Sequence, residues 1–247
     1  MTLPRGLAGA ELLRLYRRPL PWCVLAAANL LMAVFYLLLV IRYLDEEPQL
    51  RASGVTVEVM LRYFGTGTML VLLLMPLMTM GAFFDERRDA NLRFLFSTPQ
   101  SATDVVGARL ASFGSLAAAL WFTLTLMPLT LLWGTPLDLG VYVANLFGFA
   151  LFILLHLALG LLAAAWVRQP MLAGVLALSV SLVLWFADWA RRLDPEASLT
   201  GGWSTASRLR GFTIGLVNSA DVVYFVATAL ACVLLTVWRI EHLRRYA

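Results

Sequence analysis

Lysine is absent from this 247-residue chain; all 19 basic side chains are arginine. A phosphate-cradling loop of the Gly-x-x-x-x-Gly-Lys-Ser/Thr kind needs that lysine, so no Walker A loop is present and ATP hydrolysis is not expected of this chain. Charge is scarce altogether, 14% of residues against 61% hydrophobic, which excludes an ordinary soluble domain. The two cysteines, Cys23 and Cys232, both fall in apolar runs, where packing is favoured over a disulfide or a metal pair. Ionisable groups inside those runs are few. His156 stands in the fourth, where it reads either as a ligand or proton carrier or, by preference, as a partner in an interhelical hydrogen bond. Ser179 and Ser181 lie opposite it in the fifth run, yet neither sits in Gly-x-Ser-x-Gly, and intramembrane serine hydrolysis finds no support.

What the sequence does contain is six apolar runs, each near the roughly 20 residues that cross a hydrocarbon core. They cover 22–44, 66–84, 105–133, 139–166, 171–190 and 222–238. The first is as long as a full span, which argues against a cleavable signal. With both termini inside, twelve arginines fall on the cytoplasmic side and seven outside, so positive charge favours N-in, C-in. The net charge of +4 is spread along membrane borders, which points to anionic lipid headgroups and away from nucleic acid. The expected fold is therefore an all-α polytopic membrane protein, one domain over 1–247 with six transmembrane helices.

Three segments flank the spans. Residues 1–21 mix leucine and arginine at helical spacing and read as an interfacial helix ended by Pro19 and Pro21. Residues 191–221, with Trp203, Phe212 and several glycines, read as short helices dipping into the outer leaflet. Pro76 and Pro128 stand inside the second and third runs, where each frees a carbonyl that neighbouring helices can re-satisfy. Small residues at Gly160, Ala163, Ala164, Ala165, Ala173, Gly174 and Ala177 permit close helix approach, either within one chain or between two.

The most informative stretch joins the second run to the third, over 85–104. Asp85, Glu86, Arg87, Arg88 and Asp89 cannot remain in hydrocarbon and fix an exit to water. Phe94, Leu95 and Phe96 then need cover, from the membrane, from a partner's groove or from the underside of their own bundle. Pro99 breaks the segment, and Ser101-Ala102-Thr103-Asp104 matches a capping box at the start of the next helix.

This stretch resembles the permease subunits of type-2 ABC transporters, in the group with gliding-motility and nitrous-oxide-reductase accessory permeases. That group reads Pro-Leu-Leu-Thr-Met, acidic-Glu-basic-basic, Gly-Thr, a leucine-rich turn, Pro-x-Ser and Gly-Lys. Here stand Pro76-Leu77-Met78-Thr79-Met80, Asp85-Glu86-Arg87-Arg88, Leu92 to Leu95, Pro99-Gln100-Ser101 and Gly107-Ala108-Arg109. The carboxyl-terminal end is similar too, from Gly211-Phe212 through Asn218 and Asp221 to Arg239-Ile240-Glu241. Ala90-Asn91 replaces the Gly-Thr, and Arg109 stands where lysine is usual.

The resemblance implies a transmembrane subunit that binds no cofactor itself and performs no catalysis. ATP would be bound by a separate ATPase subunit, two copies per complex, beside a second permease copy or paralogue. Residues 85–99 would be the coupling helix. Asp85, Glu86, Arg87 and Arg88 would form its polar rim, and Phe94, Leu95 and Pro99 the knobs that dock on the ATPase. It implies export or force transmission at a bacterial inner membrane, with room for an outer-face accessory protein. The competing class is a scaffold or secondary transporter that uses no ATP.

Overall fold

An apolar chain surrounded by hydrocarbon must satisfy its backbone N–H and C=O groups within itself, and a helix does so segment by segment. The computed structural model describes residues 5–45, 54–84, 101–134, 136–187 and 203–245, and every element among them is helical. Helix α1 (Arg5–Tyr16) leads into α2 (Pro19–Asp45). A π-helical turn (Thr56–Leu61) runs straight into α3 (Arg62–Thr79). Helix α4 (Ala102–Leu126) tightens into a 3-10 turn (Met127–Trp133). Then come α5 (Leu139–Trp166), α6 (Pro170–Phe186), the short α7 (Thr205–Thr213) and α8 (Ser219–Arg245).

Five of these, α2, α3 with its π turn, α4 with its 3-10 turn, α5 and α8, are long and apolar enough to cross a membrane. Helix α6 is equally apolar, but its 17 residues span about 26 Å, short of the roughly 30 Å core. The fourth run matches α5 residue for residue. Pro19 and Pro21 do not merely end α1: α2 begins at Pro19, where a missing N–H costs nothing because the first turn has no partner for it.

Helix α5 is the hub. It packs against α3, α4, α6, α7 and α8, and most of its side chains are buried. Lipid tails give no hydrophobic push between helices, so close backbone approach must supply the attraction. The small residues do this inside the chain: Gly160, Ala163, Ala164 and Ala165 on α5 and Ala173, Gly174 and Ala177 on α6 are all buried. A β-carbon at Gly160 would overlap the Thr79 hydroxyl of α3, and one at Gly148 would lie 2.6 Å from Phe212 of α7.

The two prolines behave differently. Helix α3 passes through Pro76 unbroken. At Pro128 the helix changes to 3-10 geometry, and proline has no N–H to offer the carbonyl of Leu124 four residues back. The Tyr63 hydroxyl donates to that carbonyl at 2.8 Å, and the Tyr142 hydroxyl donates to the Thr125 carbonyl at 2.5 Å. A neighbouring helix thus repairs what the proline removes, and a second ties down the next carbonyl. The free cysteines are unlike each other: Cys232 is buried, and Cys23 is exposed on α2.

Two outcomes are expected. Tyr63→Phe leaves the buried Leu124 carbonyl unsatisfied and lowers stability by about 1–3 kcal/mol; reversible unfolding in mixed micelles measures it, and an unchanged midpoint would refute the repair. Gly160→Ala drives α5 off α3 and costs about 1–3 kcal/mol. Thr79→Ala should recover part of that loss in the double variant, read in the same assay.

Candidate functional site

Residues 85–100, and with them Asp85, Glu86, Arg87, Arg88, Phe94, Leu95 and Pro99, lie outside the described residues. What can be followed is how both ends of that segment are held. After α3 the chain makes two tight turns, with the Ala82 N–H on the Thr79 carbonyl at 2.9 Å and the Phe84 N–H on the Gly81 carbonyl at 3.2 Å. Ala82 and Phe83 are buried, so this end is rooted in the core. At the other end the expected capping box is formed. The Ser101 hydroxyl accepts from the Asp104 N–H at 3.2 Å, and the Asp104 carboxylate accepts from the Ser101 N–H at 3.1 Å. Ala102 is buried directly after it.

Helix α1 straps this end of the bundle. Arg109, one of the residues quoted for the resemblance, donates to Glu11 of α1 at 2.6 Å, with both side chains largely buried. The Tyr16 and Ser115 hydroxyls meet at 3.2 Å, and the Trp22 indole N–H donates to the Tyr16 carbonyl at 2.8 Å, capping α1. Between them lies a pit of about 40 Å³ whose wall includes Arg14, Arg18 and Gly81. The expected interfacial helix therefore exists, but as a packed part of the bundle tied to α4.

At mid-bundle His156 is almost wholly buried. Its Nδ1 meets the Phe152 carbonyl of its own helix at 2.9 Å, so that nitrogen carries the proton. The favoured interhelical bond is not made: Nε2 has no hydrogen-bond partner, nor does the buried Ser181 hydroxyl on α6. Ser179 donates within α6 to the Val175 carbonyl. Among the described residues no three His, Cys, Asp or Glu side chains gather to hold a metal ion. Asn145 does reach across, donating to the Thr213 carbonyl at 3.3 Å as well as to Val141 in its own turn.

The opposite end of the bundle is closed by α7, anchored on three sides. Ser204 caps its start and donates to the Trp185 carbonyl at the end of α6, 3.3 Å away. Phe212 is fully buried against Gly148. Arg208 bonds Asp221 at the start of α8 at 2.8 Å and lies over the Tyr224 ring. Below α7, between α2, α3 and α6, is a cavity of about 700 Å³ whose wall carries two arginines, Arg62 and Arg210.

No family model matches this chain, and no curated protein is significantly similar to it. The geometry must carry the functional reading. Sequence patterning located the cap at Ser101. It missed the Glu11–Arg109 bridge and the arginine-lined cavity, whose partners lie far apart in the chain. The charge signs of Glu11 and Arg109 were visible, but nothing local pairs residues 98 positions apart.

Because a buried charge left alone is costly, Glu11→Ala should loosen α1 and destabilise the fold by about 3 kcal/mol. Replacing Glu11 and Arg109 together by glutamine should cost less than the two single changes summed. Hydrogen exchange over residues 5–16 reads both, and strictly additive losses would show that the pair is not coupled.

Proposed function

We propose that this chain is the transmembrane subunit of a type-2 ABC transporter, moved by a separate ATPase that grips residues 85–99. Six spans with both termini inside give the arrangement. The connection from α5 to α6 is only residues 167–169, which supports reading the apolar run 171–190 as a sixth crossing, and the arginine count supports both termini inside. The setting is a bacterial inner membrane, and the complex contains two ATPase copies and a second permease.

The observation that supports the reading best is how the two ends of residues 85–100 are held. A charged, amphipathic segment of some sixteen residues, 85–100, is joined at both ends to buried anchors, Phe83 on one side and Ala102 with its capping box on the other. A displacement of that segment acts on α3 and α4 at once. Both pack against α5, so their motion is passed directly to the hub. Glu11–Arg109 adds α1 to the same moving body. Phe94 and Leu95 supply the apolar knobs, Asp85, Glu86, Arg87 and Arg88 the polar rim, and Pro99 separates the segment from α4. Export or outward force transmission fits better than import, since no feature of the sequence suggests docking of a solute-binding protein.

The test is isolation of the chain from its native membrane. An ATPase should co-purify, and Phe94→Asp should abolish its retention and lower its stimulated hydrolysis by at least tenfold. If the variant retains the ATPase and its activity, the grip is elsewhere. If the wild-type chain never brings an ATPase with it, a scaffold or a secondary transporter driven by a proton gradient takes its place.

A further inference from the structure

The cavity beneath α7 lies at the end of the bundle away from residues 84 and 101, and it combines two features that seldom meet in an apolar wall. Arg62, the first residue of α3, and Arg210 of α7 both line it. The rest of the described wall is apolar, aromatic or hydroxyl-bearing, among it Phe35, Met69, Trp185 and Leu209, and contains no carboxylate. We infer that this cavity binds an anionic phospholipid, with the phosphate between Arg62 and Arg210 and an acyl chain along Phe35, Met69 and Leu209.

Four observations carry this. The volume, about 700 Å³, is that of a ligand pocket rather than a packing defect. The two guanidiniums stand at helix-terminal depth: α3 runs 18 residues from Arg62 to Thr79, about 27 Å, so Arg62 sits where headgroups meet hydrocarbon. Trp185 and Phe186, at the end of α6, bring aromatic rings to the same level, as interfacial residues do. The cavity is also open to its surroundings, since Met69 and Phe186 line it and remain exposed.

Chemistry selects the ligand. Guanidinium groups are planar, permanently charged and match phosphate oxygens in pairs. Each has five N–H donors, so an ion pair elsewhere on the fork leaves donors for a second acceptor. Two of the three hydroxyls in the wall already donate within their own helices, Thr68 to the Phe64 carbonyl and Thr213 to the Arg210 carbonyl. A neutral polar solute gains little from two fixed positive charges, whereas an anionic headgroup is attracted by both. The apolar remainder of the wall suits a chain and repels a free hydrated anion. The roof is firm as well, because α7 is fixed to α5, α6 and α8 through Phe212, Ser204 and Arg208. This site does not depend on the ATPase reading, and its test involves no nucleotide.

The full chain, purified in a neutral maltoside, is titrated with dioleoylphosphatidylglycerol, with dioleoylphosphatidylcholine and with inorganic phosphate, and bound species are counted by native mass spectrometry. Phosphatidylglycerol should bind at least tenfold more tightly than phosphatidylcholine, and millimolar phosphate should not displace it. Arg62→Gln and Arg210→Gln should each weaken it about fivefold, and together about thirtyfold, while Arg168→Gln at the other end changes nothing. Ala206→Trp fills the cavity with both arginines in place and should also block binding, which covers the case in which a glutamine variant fails to fold. Equal affinity for the two lipids, or unchanged binding in glutamine variants that melt like the parent, overturns the proposal. Displacement by phosphate overturns it in favour of a free-anion site.

Discussion

Helices inside a bilayer gain nothing from hiding apolar surface from one another, because the lipid is as apolar as they are. The bundle depends on how closely α5 lets its neighbours approach. Gly160 admits Thr79 of α3, Gly148 admits Phe212 of α7, and Ala163 to Ala165 leave a smooth, buried inner half. Remove that closeness and no solvent force remains to restore it. The bundle's contacts are consequently tight and short in range.

The same constraint governs polar groups. A carbonyl bared by proline in hydrocarbon costs several kcal/mol if nothing answers it. At Pro128 Tyr63 supplies the missing donor, and Tyr142 on another helix ties down the next carbonyl. The tyrosines also join an aromatic cluster with Tyr36, Phe64 and Phe149, so hydroxyl and ring act together. One end of the bundle is thus fastened by tyrosine hydroxyls and by α7, and the other by the Glu11–Arg109 bridge. Between them His156 and Ser181 leave polar atoms without partners at the centre.

Period and punctuation made much of the fold legible. Unbroken apolar runs predicted the long helices, and Asp138, whose carboxylate accepts from the Gly140 and Val141 N–H groups, starts α5 where the run begins. Ser101 and Asp104 announced their capping box. Other features were hidden for definite reasons. Pro19 reads as a stop and serves as a start. Helix α7 bears out the short helices expected over 191–221, but its seat on the bundle was hidden, since its anchors at Trp185, Gly148 and Asp221 are remote in sequence. The interhelical bond expected of His156 is not made: Nδ1 is held by the Phe152 carbonyl of its own turn, and no donor reaches Nε2. Of the candidate grip, the sequence carries all that is known of Asp85 to Pro99, while the structure adds the anchoring on either side.

The bridge between Glu11 and Arg109 also has a bearing on biogenesis. Its two halves are separated by 98 residues, so α1 emerges from the ribosome long before the arginine that will hold it. At roughly 5–20 residues per second, the leading helix waits on the order of ten seconds with an unmatched acid and an uncovered row of leucines. Its resting place in that interval is the bilayer surface. The first helix would thus begin as a peripheral segment and become part of the bundle only when α4 arrives to claim it.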